Sequence, residues 1–523
     1  MKSNSHSFKK AVFWLIVISS LIRLFIAVFL DLGNDEVYYH TYALYPDWSH
    51  FDHPPMVGWV IQFLSLGMFM DTAWLMRLPA LIFSAINTWM IYKLGLRIKN
   101  ERIGWYGAIL YSSSIYLSII SGTFIMPDSP QIFFWIASLY LMLDILPQKE
   151  LLQSGKIKLL WLGLLIGLAM LSKYTSVFLW LGILLYILIN NRKWFNSIYL
   201  YLSGLISLLV FLPVLIWNYL NNFVSFGFHG KRVEVQENIL RFDLLGTEVI
   251  GQFFYQNPVI FVLVWIAVFY GIVKHANFMS KTKFHLLLFQ SIPMILVFLS
   301  VSLFRRTLPH WTGPAYVALI MLGAAFLNHK TEGKKSKWPF TLKSASIFMI
   351  LIVAMGFAEV KFGLLNIKGI VGKDVTLDVY GWGQLNKKFT TIKNKAERGN
   401  SIQKNAPIIS KRWFPAANID FYIAHPNNTF VLGWGKLERI HKYAWINQER
   451  GGFSKGMDVW YITLDNDYMS PSFGEKYFEE TVASDTISII RSGEVVNKAF
   501  IYIFKNLQKI PPDALQEARV AKN

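Results

Sequence analysis

Apolar runs of about twenty residues recur from near the N-terminus to about residue 363, broken by short polar stretches. Crossing a bilayer takes about 20 apolar residues in a helix. By that rule the expected spans are roughly 11–30, 77–98, 103–121, 130–147, 159–172, 175–190, 196–217, 248–273, 284–304, 314–328 and 343–363, about eleven transmembrane helices. The first is too long for a signal-peptide core and has no small-x-small cleavage pattern, so it reads as a retained helix. After residue 363 the pattern changes. Val459-Trp460-Tyr461-Ile462 and Ala499–Phe504 read as strand, and 383–398 and 435–449 as amphipathic helix. The expected architecture is a polytopic α-helical membrane domain over 1–363, with an outer loop of interfacial helices over 31–76, and a mixed α/β domain over 364–523.

Composition supports this picture. The 523 residues are 54% hydrophobic and 16% charged, with a mean hydropathy of +0.37, where a soluble domain carries about 25% charged residues. A soluble enzyme, a disordered chain and a fibrous chain are all disfavoured. With 41 Phe, 24 Tyr and 19 Trp, the chain is rich in the rings that sit at lipid head groups. There is no cysteine, which excludes disulfides, thiolate metal sites and Cys nucleophiles.

The net charge of +19 is explained by where the cations lie. With the N-terminus cytoplasmic, one side holds Lys2, Lys9, Lys10, Lys93, Arg97, Lys99, Arg102, Lys149, Lys156, Lys158, Arg192, Lys193, Lys274, Lys281, Lys283, Lys330, Lys334, Lys335, Lys337 and Lys343. The opposite short loops hold only Lys173, Lys231, Arg232, Arg241, Arg305 and Arg306. The positive-inside rule sets that orientation and puts the C-terminal domain outside. The charge marks topology rather than nucleic-acid binding.

Candidate chemistry lies on the outer face. No Lys or Arg stands between Arg23 and Arg77, a stretch that holds Asp31, Asp35, Glu36, Asp47, Asp52, Asp71, His40, His50 and His53, interleaved with Tyr38, Tyr39, Tyr42, Tyr45, Trp48 and Phe51. Loops of this length usually carry function or hidden helices. Residues 55–70 read as an apolar helix lying along the membrane. Asp35-Glu36 suits a carboxylate that takes a proton from a hydroxyl nucleophile, and equally suits a helix N-terminus. The two prolines after His53 stiffen it. Asp52-His53 fits an anion or metal ligand, or a turn histidine satisfied by its neighbour. Asp128, bracketed by Pro127 and Pro130, is either a second acid in the same cavity or a helix cap. Lys173, in Ser172-Lys173-Tyr174-Thr175, either snorkels or meets a lipid-borne phosphate. Arg305-Arg306 fits phosphate recognition or head-group contact, and His310-Trp311 follows. The segment from Trp217-Asn218 through Phe228-His229-Gly230-Lys231-Arg232 either covers the site or merely connects. No HExxH, P-loop or Rossmann pattern is present. An acid and several cations at the outer interface point to transfer of a group from a phosphate leaving group.

Across residues 10–325 the ordered set Asp35-Glu36-Val37-Tyr38-Tyr39, Phe51-Asp52-His53-Pro54-Pro55, Arg77-Leu78-Pro79-Ala80, Met126-Pro127-Asp128, Leu171-Ser172-Lys173-Tyr174-Thr175, Trp217-Asn218 and His310-Trp311 with Pro314-Ala315-Tyr316 resembles the bacterial GT-C glycosyltransferases. It is most similar to the branch of the dolichyl-phosphate-mannose protein mannosyltransferases (glycosyltransferase family 39). More distantly it resembles the lipid A aminoarabinose transferase. The resemblance implies inverting transfer of a sugar from a polyprenyl-phosphate donor to a hydroxyl or phosphate of a glycolipid, polysaccharide or protein, at the outer face of a bacterial inner membrane. It makes Asp35 the general base, with Glu36 supporting it or touching the acceptor. It sets Lys173 near the donor phosphate; His53, Arg305 and Arg306 stand beside it as candidate phosphate ligands on the reading of the residues above. It gives Asp52, Asp128, Tyr38, Tyr39, His310 and Trp311 to the substrate cavity. His53 departs from the lysine that the aminoarabinose transferase carries before its prolines. A divalent cation, Mg²⁺ or Mn²⁺, is left open, and protein mannosyltransferases of this type generally need none. The alternatives are a lipid-linked sugar transporter or flippase, which would place charges mid-span, and a non-catalytic membrane scaffold.

Overall fold

The computed structural model describes residues 5–148, 152–234, 239–333, 338–365 and 367–520. Lys2, Lys149, Lys334, Lys335 and Lys337, expected among the cytoplasmic charges, lie outside the described residues. The chain packs as two compact units: Met1–Val28 with Pro46–Val353, and Phe29–Tyr45 with Ala354–Asn523. This partition differs from a division at residue 363. It also divides the 31–76 loop, because residues 29–45 pack with C-terminal ones.

The first unit is helical. Among the described residues, five helices are long and apolar enough to cross a bilayer: Phe8–Phe29, Gln153–Ser172, Ile198–Leu220, Lys281–Ser302 and Phe340–Phe362. Other expected spans are helical but shorter, less apolar or interrupted: Leu78–Ile98, Glu101–Ser113 followed by a π turn at Tyr116–Ile120, Asp128–Ile145, Phe178–Asn190 and Ala315–Lys330. The expectation of one continuous span over 248–273 is corrected. Phe242–Tyr255 and Pro258–Val273 meet at 106°. The break lies at Asn257, whose φ is +73°. Its amide donates to the carbonyls of Ser113 and Ala345, both at 2.9 Å, and its side-chain oxygen caps the next helix at the N–H of Val259 (3.1 Å). Pro258 cannot continue the incoming hydrogen-bond ladder.

Small residues set a close helix contact. A Cβ on Gly163 would stand 2.2 Å from the Ser203 carbonyl oxygen, so only glycine lets the Gln153–Ser172 and Ile198–Leu220 helices approach this far. Ser203 and Ser207 hydroxyls then donate across the contact to the carbonyls of Leu159 (2.7 Å) and Gly163 (2.6 Å). In lipid, where apolar burial drives little association, such contacts hold helices together. The charges inside the helices are satisfied. Asp144, at the end of its helix, pairs with Arg97 and with Lys158 at 2.9 Å. Arg23, 2% exposed, donates to the carbonyl and hydroxyl of Ser118 at 3.3 and 3.0 Å.

The second unit is built on a five-stranded sheet: β1 (Ile408–Ser410), β2 (Val431–Gly433), β3 (Val459–Leu464), β4 (Phe478–Arg491) and β5 (Glu494–Leu507), in the order β2-β1-β3-β5-β4. β1 runs parallel to β2 and β3, while β5 is antiparallel to β3 and β4. Both segments expected as strand are paired, with Val459 opposite Phe504 and Ile462 opposite Ile501. Ile409, Leu432, Tyr461 and Phe504 bury one face. The expected 383–398 helix is present as Trp382–Arg398. The expected 435–449 helix is corrected to two, Leu437–Ile440 and Tyr443–Glu449, broken at His441, whose φ is +49°.

Helix Asn34–Leu44 belongs to this second unit. The Leu32 N–H donates to the Tyr422 hydroxyl at 2.5 Å, and the Tyr38 ring lies 4.9 Å from that of Trp413.

Candidate active site

In the first unit, Pro127 is the N-cap of helix Asp128–Ile145 and Pro130 lies in its first turn, which sets Asp128 at the helix start, 1% exposed. Helix Gln153–Ser172 stops where Lys173 adopts an extended backbone (φ −157°, ψ 135°). The Lys173 ammonium, in a residue 7% exposed, donates to both carboxylate oxygens of Asp128, at 2.9 and 2.8 Å. The Tyr116 hydroxyl donates to one of the same oxygens at 2.5 Å. A buried charge needs a partner and satisfied hydrogen bonds, and this pair has both.

Histidines surround it. Burial pushes His53 down to about 3, against the opposing pull of Asp52, with His229 and Lys173 lowering it further. Burial likewise lowers His310 to about 4, with Lys173 adding to the shift and Asp128 opposing it. Both imidazoles are neutral at pH 7 and act as hydrogen-bonding groups, not cations. His229 bonds the Asp52 carbonyl at 2.6 Å. Its ring lies 6.0 Å from His53 and 5.2 Å from Tyr174. Arg232 lies over the Trp311 ring at 5.0 Å. Asp52, His53, Asp128, Lys173, His310 and Trp311, far apart in sequence, are therefore brought together in this unit. Arg305 instead donates to the Glu234 carbonyl (3.0 Å) and Arg306 is exposed.

Sequence reasoning singled out neither Tyr116 nor His229. Tyr116 was hidden inside an apolar run. His229 stood in the segment expected to cover or connect, and the structure places it beside His53. Among the described residues no three His, Asp or Glu side chains are grouped to hold a metal ion.

In the second unit Asp35 and Glu36 take different roles. Asp35 is exposed in the first turn of its helix, whereas Glu36 is 2% exposed and accepts the Gly33 N–H at 2.9 Å. Glu36 thus caps the helix that carries Asp35. Tyr38 and Tyr39, expected in a substrate cavity, are 1% and 3% exposed. Their rings pack with Tyr42 at 5.3 and 5.4 Å.

Several membrane-length helices, interrupted helices beside them and a small α/β unit define a polytopic membrane protein of the GT-C fold. ArnT from Cupriavidus metallidurans in the apo state is similar in structure, with a TM-score of 0.59 at 14% identity over 94% of this chain and 98% of that one. Residues 52–217 match the family described as dolichyl-phosphate-mannose-protein mannosyltransferase, a stretch that includes Asp52, His53, Asp128 and Lys173. The lipid A galacturonosyltransferase RgtD of Rhizobium johnstonii is 23% identical over 350 residues, 64% of this chain and 66% of that relative, so the match spans just under two thirds of its length. The likeness to ArnT shows the fold, and the family match covers residues 52–217.

Proposed function

We propose that the protein moves a sugar from a polyprenyl-phosphate donor to a glycolipid acceptor at the outer face of a bacterial inner membrane. In this reading the N-terminus is cytoplasmic and the sheet-bearing unit periplasmic. The buried Lys173–Asp128 pair carries the proposal, because it holds an ammonium ready for a phosphate in a site whose histidines are neutral. Asp35 takes the proton from the acceptor hydroxyl. The acceptor oxygen then forms a bond to the anomeric carbon from the face opposite the phosphate. The bond from that carbon to the phosphate oxygen breaks, and its electron pair leaves with the polyprenyl phosphate. The leaving group departs ionised and needs no acid; Lys173 stabilises its growing charge, as fixed cations do in dry sites. His53 and His310 contribute neutral N–H donors, and Asp128 holds the Lys173 ammonium in place between turnovers. The name of the galacturonosyl relative makes lipid A the first acceptor to try.

Mass spectrometry of envelope glycolipids and glycoproteins from deletion and complemented strains tests this. A sugar missing in the deletion and restored on complementation is expected. An unchanged set of glycoconjugates, with labelled lipid-linked sugar crossing proteoliposomes uncoupled from any covalent product, would select the transporter.

A further inference from the structure

Arg450 is largely buried in the second unit, its side chain 10% exposed. Its guanidinium pairs with Asp420 at 2.8 Å, donates to the Val431 carbonyl at 2.7 Å, and donates from Nε to the Tyr45 hydroxyl at 2.9 Å. Tyr443 donates to the same Asp420 oxygen at 3.0 Å. An apolar replacement for a buried ion pair is often as stable, so such a pair is better explained by what it positions than by the stability it adds. What it reaches here is Tyr45, the C-cap of helix Asn34–Leu44.

A second cation reaches the same residue. Lys442 Nζ donates to the Tyr45 carbonyl and lies 4.9 Å over the Tyr42 ring. Its backbone N–H donates to the Tyr38 hydroxyl at 3.3 Å. Lys442 follows His441, whose left-handed backbone (φ +49°) is costly outside glycine and persists where surrounding packing enforces it. The His441 ring stacks on Trp413 at 5.5 Å and 18°, and Trp413 packs on Tyr38. The acid-bearing helix has no basic residue in its own last turn. Lys442 and Arg450, at the two ends of helix Tyr443–Glu449, supply the positive charge that a helix C-terminus favours. At the other end, Glu36 and Tyr422 hold the first turn.

We infer that Lys442 and Arg450 are positioning residues: a two-cation clamp, gripping Tyr45, that fixes the helix presenting Asp35. The inference rests on the reading of Asp35 as the base.

Tyr45→Phe removes one hydroxyl and leaves the Arg450–Asp420 pair intact, so the variant folds. Arg450→Lys keeps the charge beside Asp420 and loses the reach to Tyr45. Both are measured in the full-length purified protein, with polyprenyl-phosphate galacturonic acid as donor and lipid A as acceptor. Each lowers kcat on the order of 10-fold, the scale of a small misplacement of a reacting group, with the donor KM unchanged. The double variant is no worse than the more impaired single, because both remove one link. Amide hydrogen exchange quickens over 30–45 and stays slow in β3 and β5. A wild-type kcat in Tyr45→Phe, or additive losses in the double variant, overturns the clamp. Wild-type protein that fails to turn over this pair counts against the transfer reading instead. Exchange then decides the clamp alone: quickening confined to 30–45 upholds it, and unchanged exchange overturns it.

Discussion

Lys173 Nζ stands 2.8 Å from one carboxylate oxygen of Asp128 and 2.9 Å from the other, so each of these buried groups is the other's counter-charge. Any anion entering here meets a lysine side chain already held by a carboxylate. A phosphate would share or replace the carboxylate in that grip.

Asp128→Asn leaves Lys173 buried without its counter-charge. Removing one partner of a buried pair costs about 3–5 kcal/mol, so a lower melting temperature in detergent and poor yield are expected. Changing both, with Asp128→Leu and Lys173→Met, recovers the yield but not transfer. Thermal melts of the three variants separate the structural effect from the chemical one.

Asp35→Asn is expected to behave differently. Asp35 is exposed at a helix start, so folding and membrane insertion are kept. Loss of a general base lowers turnover by about 10²–10⁴-fold. Full transfer by the Asn variant in a labelled-sugar assay would remove Asp35 from the base role.

His53 and His310 give the fold an acid limit. Their folded pKa values lie near 3 and 4, below about 6.5 for an unfolded imidazole. Between those values the unfolded chain binds protons that the folded one does not, so stability falls as pH drops from about 6.5 towards 4. Above 6.5 the two residues make stability independent of pH. His53→Asn and His310→Asn should each flatten part of the acid limb in melts recorded from pH 7.5 to 4.5. An unaltered limb in both variants would show that the loss arises elsewhere.

Gly163→Val adds atoms where the Ser203 carbonyl would be 2.2 Å away. Overpacking of a tight contact costs about 1–3 kcal/mol, and the helix pair must separate. A lower melting temperature is expected, with the largest rise in hydrogen exchange in 153–172 and 198–220.

The helical part of the fold was legible because lipid demands long apolar runs, and each expected span is present as a helix or a broken one. The 106° bend was not read, although its signal was present: Glu248, Gln252, Gln256 and Asn257-Pro258 interrupt an otherwise apolar stretch. Asn257 bonds to residues 144 and 88 positions away, partners that no local pattern reveals. The gathering of Asp52, Asp128, Lys173 and His310 was anticipated because their segments share one predicted side of the membrane. Arg305 donates to the Glu234 carbonyl and Arg306 is exposed, placements that sidedness does not foretell, since it fixes a level and not a neighbour. The inward packing of Tyr38 and Tyr39 was also hidden. Aromatic residues in an outer loop read as cavity lining until the Trp413 and His441 that cover Tyr38 are known.

The bond from Leu32 to Tyr422 joins positions 390 apart. At roughly 5–20 residues per second, the ribosome needs on the order of 20–80 s to supply that partner. During this interval the nascent polypeptide has its proposed proton acceptor but not the scaffold that steadies it. A chain that ends before residue 422 therefore leaves the segment ahead of the Asp35 helix without its Tyr422 partner.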